Sequence, residues 1–168
     1  MRARTLWMIG LGCLGLLGGC GGGSDAGGSA PAKPVLTAAT LGEQTVLSAE
    51  AWLGTDPYAA ADRAAGEDQA RVCRACHSLA DGGPNMIGPN LYGFFGRQAG
   101  SVASFQYSSA FASADFVWTP RALDAWLKAP GKFLPGNRMT YPGLARQADR
   151  EALIAYLLES TSDTGAQK

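Results

Sequence analysis

The run Cys73-Arg74-Ala75-Cys76-His77 constrains this chain more than any other stretch. Two cysteines three positions apart lie on one side of a helix, and a histidine follows directly. C-x-x-C-H is the attachment pattern of c-type haem. The two thiols form thioethers with the vinyl groups on one porphyrin edge, and the adjacent imidazole reaches the iron. A cofactor held in this way cannot leave, so a small domain can expose its edge, an arrangement suited to electron transfer. Two other chemistries use C-x-x-C. A zinc site needs two further ligands, yet the chain has one histidine and no second Cys or His pair. A redox dithiol needs no histidine and sits in a βαβ context, which this sequence lacks.

The sixth iron ligand follows by elimination. His77 is the only histidine, so a second imidazole from this chain is excluded. Methionines stand at 1, 8, 86 and 139, and the first two fall in a leader-like segment. Met139 ends Pro135-Gly136-Asn137-Arg138-Met139, a Pro/Gly loop able to carry a side chain to the far haem face. It is the expected ligand. Met86, nine residues after His77, would have to double back around the haem edge, and loop packing is its expected role. An open sixth position is the third possibility.

The start of the chain reads as an address rather than a fold. Arg2 and Arg4 precede an apolar stretch from Leu6 to Leu17, short for a bilayer span. Leu17-Gly18-Gly19-Cys20 is similar to a bacterial lipobox. Residues 1–19 are therefore expected to be a lipoprotein signal peptide, with Cys20 lipidated. An ordinary secretory signal or an uncleaved anchor are the other readings. Cysteine use agrees with export, because Cys13 leaves with the signal, Cys20 carries lipid and Cys73 with Cys76 hold haem. None is left over to mispair in an oxidising compartment. The expected location is periplasmic, lipid-anchored to a bacterial membrane.

Charge excludes some partners. Fourteen Lys and Arg balance fourteen Asp and Glu, and no basic run interleaves with aromatics, so nucleic acid is not an expected partner. Steering toward an acidic protein would rest on a local cluster such as Lys128, Lys132 and Arg138.

Composition then divides the chain. Residues 20–44 are expected to be a flexible Gly/Ser/Ala/Pro tether, 45–61 an N-terminal extension, 62–163 the haem domain and 164–168 a tail. Ser48 should cap a short turn reaching Leu53. Four helices follow: Asp62 through Cys76, about Ser108–Ser113, one capped by Thr119 with Pro120 at N1 and ending before Pro130, and about Asp149–Ser160. No alternating run argues for a sheet, so the expected fold is all-α, with helices packed around one covalently attached haem. A modest peptide core completed by haem predicts a poorly folded apoprotein.

At this point the sequence resembles class I, mitochondrial-type cytochrome c. After Cys73-x-x-Cys76-His77 come Gly88-Pro89-Asn90-Leu91-Tyr92-Gly93-x-x-Gly96-Arg97, Tyr107-Ser108, Trp118-Thr119 and Leu123-x-x-Trp126-Leu127-x-x-Pro130. Phe133-x-Pro135-Gly136-x-x-Met139-x-Tyr141-x-Gly143 and Leu153-Ile154-Ala155-Tyr156-Leu157 complete the order. The resemblance implies that the Pro89 carbonyl accepts from His77 Nδ1–H and that Arg97, Tyr107 and Trp118 hold the haem propionates. It places Trp126 on the Met139 face, where the family often has tyrosine, and Tyr141 at the exposed edge. The family's first helix meets its last through a glycine and an aromatic. Gly66 matches the glycine, but Ala70 stands at the aromatic position, and the Trp52/Tyr58 segment is expected to fill the resulting gap.

The expected protein is a monomeric, monohaem, His/Met-ligated electron carrier, not an enzyme. Its expected partners are membrane redox complexes, a quinol-oxidising cytochrome complex and a terminal oxidase. Two rivals are a dedicated haem subunit of a dehydrogenase or oxidase, and a haem peroxidase or gas-binding protein with a labile methionine.

Overall fold

Short polar side chains set where the helices begin. A computed structural model describes residues 36–162 of the chain. Ser48 accepts from the Ala51 amide at 3.1 Å to open α1, Ala49–Leu53. Asp62 accepts from Ala65 at 3.0 Å to open α2, Arg63–Arg74. Ser108 caps α3, Ser109–Ala112, and Thr119 caps α4, Pro120–Lys128, with Pro120 at its first position. Each cap satisfies an amide that has no partner inside its helix. Then come α5, Pro130–Phe133, and α6, Gln147–Ser160.

Two boundaries differ from expectation. α2 stops at Arg74, so Cys76 lies just beyond it, and the His77 amide still donates to Cys73 at 2.9 Å. Pro130 ends α4 as expected but also starts α5, because its fixed φ suits a first helical position. The only β pairing among the described residues is one antiparallel bridge, Gln98 with Val117.

α2 packs on α6, and Gly66 permits the approach. A Cβ there would lie 2.1 Å from the Ala152 carbonyl oxygen and 2.8 Å from Tyr156 Cβ. Ala70, one turn on, is fully buried. The stripe Leu153, Ile154, Leu157 and Leu158 puts the buried face of α6 against the core, which Phe133 and Trp126 share.

The chain before α1 is not all tether. Leu36–Gln44 packs on the domain, and Leu41 is 2% exposed. Gln44 explains why this segment stays. Its Nε2 donates to the Val117 carbonyl at 2.7 Å, and its Oε1 accepts from the Val117 amide at 2.9 Å. Phe116 and Trp118, on either side of Val117, pair with Ala99, Arg97 and Gly96. Val117 itself therefore faces outward, and the Gln44 amide stands in for a missing strand. The ordered domain thus begins well before residue 45. The expected signal peptide, Cys20 and the tether up to residue 35 lie outside the described residues.

The extension then packs onto the core. Trp52 and Leu53 are half-buried, Tyr58 is buried, and Trp52 meets Tyr58 edge-on at 6.5 Å. α1 also touches α6. Deleting residues 45–58 should lower the thermal midpoint of the haem-loaded protein, because the buried Tyr58 and the half-buried Trp52 are lost; an unchanged melting curve would show that the extension fills no gap. Tyr58 adds a pH signature. Burial, then the nearby Asp124 and Glu151 carboxylates, push its phenol up to about 12. The folded state therefore holds this proton more tightly than the unfolded chain, whose phenol titrates near pH 10. The stabilisation is complete below that pH and is lost as pH rises toward 12. Tyr58→Phe should flatten this part of the alkaline denaturation profile; an identical profile would assign the loss elsewhere.

Candidate haem-binding site

The described residues form a cavity of about 690 Å³. Cys73 arrives on the last turn of α2, and Cys76 and His77 on the turn beyond it. Both thiols are half-buried and line the cavity, as does His77. They form no disulfide with each other, and burial pushes the Cys73 thiol up.

The histidine is fixed from behind. Its Nδ1 lies 2.7 Å from the Pro89 carbonyl oxygen. A carbonyl only accepts, so Nδ1 carries the proton and the Nε2 lone pair is left for a metal. Burial lowers the imidazole pKa, partly offset by that hydrogen bond, which favours the neutral, metal-binding form. Gly88 is required beside the ring, since a Cβ there would lie 2.2 Å from His77 Cε1. The Gly88 amide donates to the Cys76 carbonyl at 2.8 Å and ties this loop to the cysteine turn.

Met139 lines the same cavity, at the end of a loop with two anchors. At its start, Asn137 Nδ2 donates to the Leu134 and Pro130 carbonyls at 2.8 and 3.1 Å, and its Oδ1 accepts from the Met139 amide at 2.9 Å. Past it, the Leu144 amide donates to Leu127 at 2.7 Å. Arg150, 4% exposed, donates to the Leu144 and Ala145 carbonyls at 3.0 and 2.7 Å and to Asp124 at 2.7 Å. Met86 is 47% exposed and does not line the cavity.

Aromatics form much of the remaining wall. Trp126 is buried and contacts Phe111 at 5.3 Å, Trp118 at 5.8 Å and Phe133 at 6.0 Å between ring centres. Arg97 donates to the Asn90 carbonyl at 3.1 Å. Burial lowers its pKa, and burial raises that of the neighbouring Tyr107. Tyr141, with its phenol raised by burial, also lines the cavity.

The described residues expected to hold the haem and its iron all line this cavity: Cys73, Cys76, His77, Pro89, Arg97, Tyr107, Trp118, Trp126, Met139 and Tyr141. Cys20 lies outside the described residues. Sequence reasoning missed Gln44, Asn137 and Arg150, which fix the walls rather than form them. Arg150 had a signal: it sits three and four positions before Leu153 and Ile154, on the buried stripe of α6.

An apolar cavity with two thiols, a neutral imidazole and a thioether at its wall, and Arg and Tyr donors beside them, fits a covalently attached haem. Fold and site together define a c-type haem protein. The chain is 40% identical over 109 residues to cytochrome c2 of Agrobacterium tumefaciens, covering 63% of this chain and 98% of that protein. It is 42% identical over 104 residues to cytochrome c2 of Afifella marina, covering 60% and 82%. Over 80 residues, 48% of this chain and 86% of the relative, it is 49% identical to cytochrome c of Trypanosoma brucei brucei. No protein-family model matches the chain. The chain belongs to the class I cytochrome c family, with that family's all-α fold and one haem c attached through Cys73 and Cys76.

Proposed function

We propose that this protein is a one-electron carrier in which His77 and Met139 are the axial ligands. The observation that carries this reading is the convergence of His77, backed by Pro89, and Met139, held by Asn137, on the cavity that the two thiols line. When bound, haem c supplies a one-electron ferric/ferrous couple, and methionine ligation raises its potential. The chain's own part is to keep both ligands fixed, so that little rearranges between oxidation states. Arg97, Tyr107 and Trp118 are the donors for the propionates, and the buried Trp126 keeps water from the Met139 side. Tyr141, half-buried at the wall, marks where electrons enter and leave.

The lipobox-like run ending at Cys20 supports export to the periplasm and a lipid anchor. No helix among the described residues is long and apolar enough to cross a membrane. A monomer tethered in this way would exchange electrons with membrane redox complexes, such as a quinol-oxidising cytochrome complex and a terminal oxidase. A peroxidase-like activity would need an open iron and an acid–base group above it, and the only histidine is engaged with Pro89. A permanent partner would need an exposed apolar dock, and Trp52 and Leu53 pack on the core.

The test is an optical spectrum of the ferric protein, repeated after reduction under carbon monoxide. A weak far-red methionine–iron band and no carbon monoxide adduct are expected. Loss of that band with ready carbon monoxide binding would overturn the carrier reading.

A further inference from the structure

Arg97 and Trp118, two of the donors assigned to the propionates, sit on the two strands of one short ribbon. The Gly96 amide donates to the Trp118 carbonyl at 2.7 Å, and the Trp118 amide donates to the Arg97 carbonyl at 2.9 Å. The Ala99 amide donates to the Phe116 carbonyl at 2.9 Å. Both donor side chains line the haem cavity. A shift of either strand therefore moves a donor. A pairing of two short strands is marginal in water by itself, and an open edge lets water compete for its amides and carbonyls.

The segment ahead of α1 supports this ribbon at two points. Gln44 closes the outer edge at Val117, donating to its carbonyl at 2.7 Å and accepting from its amide at 2.9 Å. Gln44 Nε2 also donates to Thr119 Oγ1 at 3.1 Å, the hydroxyl that caps α4. Two residues on, Val46 bears on the other strand. Its Cγ1 lies 2.9 Å from where a Cβ on Gly96 would stand, and Gly96 has φ +79°, so glycine is what leaves it room. A stretch of three residues thus holds one strand by hydrogen bonds and the other by contact. Neither Gln44 nor Val46 lines the cavity, so their influence on the haem passes through the ribbon. Both lie ahead of every motif on which the family resemblance rests.

Placement matters because charge is at stake. Hydrogen bonds to an ionised carboxylate are strong and depend on geometry. Carboxylate charge close to the iron favours the ferric state, and donors that hold that charge offset the preference. A ribbon free to shift would hold the propionates less closely, and the potential would fall.

We propose that Gln44 and Val46 are positioning residues for the haem: they hold Arg97 and Trp118 in place and so raise the reduction potential. This rests on the reading of those two side chains as propionate donors.

The experiment measures potential, melting midpoint and amide exchange on the haem-loaded protein. Gln44→Ala should lower the ferrous-to-ferric ratio at a fixed poise about twofold, or about 18 mV for one electron. The Val117 and Trp118 amides should exchange at least about tenfold faster in that variant. Val46→Ala, on a half-exposed side chain that the fold does not need, should move the potential the same way. Thr45→Ala, exposed and between the two, should not. Trp118→Phe removes a donor without changing charge and should also lower the potential. Combined with Gln44→Ala, it should give less than the sum of the two falls, because Gln44 acts partly through the indole. Tyr58→Ala, at a buried site away from the cavity wall, should lower the midpoint and leave the potential alone. An equal fall in potential with Tyr58→Ala would assign the effect to general loosening and overturn the proposal. So would a Gln44→Ala and a Val46→Ala that melt early at the parent's potential while Trp118→Phe shifts it, which leaves the donors standing and makes the segment packing only. No change with Trp118→Phe would instead reject the donor assignment, and the inference with it.

Discussion

Arg150→Ala is expected to cost about 3 kcal/mol and to lower the thermal midpoint by about 10 °C. The guanidinium is 4% exposed and is bonded to Asp124 and to the Leu144 and Ala145 carbonyls. Removing it leaves one carboxylate and two carbonyls without their donor at the junction of α4, α6 and the Met139 loop. A fully buried orphan carboxylate would push the cost to about 5 kcal/mol. The Asp124 side chain keeps 35% exposure, which limits the loss. The double variant Arg150→Met with Asp124→Asn should recover part of it, because no charge is stranded. The local effect should precede global unfolding: only the Leu144–Leu127 bond is left to hold the loop's far end, so the far-red methionine–iron band should fade at a lower temperature than in the parent. A midpoint within a degree or two of the parent would show that this network carries little of the fold.

The contrast between Arg150 and His77 explains what the sequence made legible. Covalent chemistry leaves a local pattern, so Cys73, Cys76 and His77 were readable from five consecutive residues. Helix starts were readable because Ser48, Asp62, Ser108 and Thr119 act on amides three residues away. That Met139 lines the cavity agrees with the expectation that elimination gives in a chain with one histidine. Long-range polar contacts leave no such trace. Gln44 and Val117 are 73 positions apart, and nothing near Gln44 announces a partner, so composition alone suggests a tether up to residue 44. Pro130 signals a stop because a proline blocks the helix before it; that it also opens α5 depends on the chain turning back to bury Phe133. Arg150 gives little such sign because a charged residue near a helix start is usually solvated, and only Asp124 and the returning Met139 loop make its burial tolerable.

Met139→Ala is expected to have the largest functional effect. The far-red band should vanish, and carbon monoxide should bind the reduced protein, because no second histidine is available to replace the lost ligand. The potential should fall on the order of a few tenths of a volt, inside the ~0.8 V range that axial ligands span. Stability should drop by about 2 kcal/mol, the low end for deleting a buried methionine, since Met139 is only partly buried. Met86→Ala is the control that makes the result decisive. Met86 is exposed and outside the cavity wall, so its loss should leave band, potential and carbon monoxide response unchanged. If Met86→Ala removed the band while Met139→Ala did not, the ligand would come from the loop before Pro89, and the Asn137 and Arg150 anchors would serve packing alone. If neither variant mattered, the sixth position would be open in the parent, and gas binding or peroxide chemistry would become the primary reading of the same cavity.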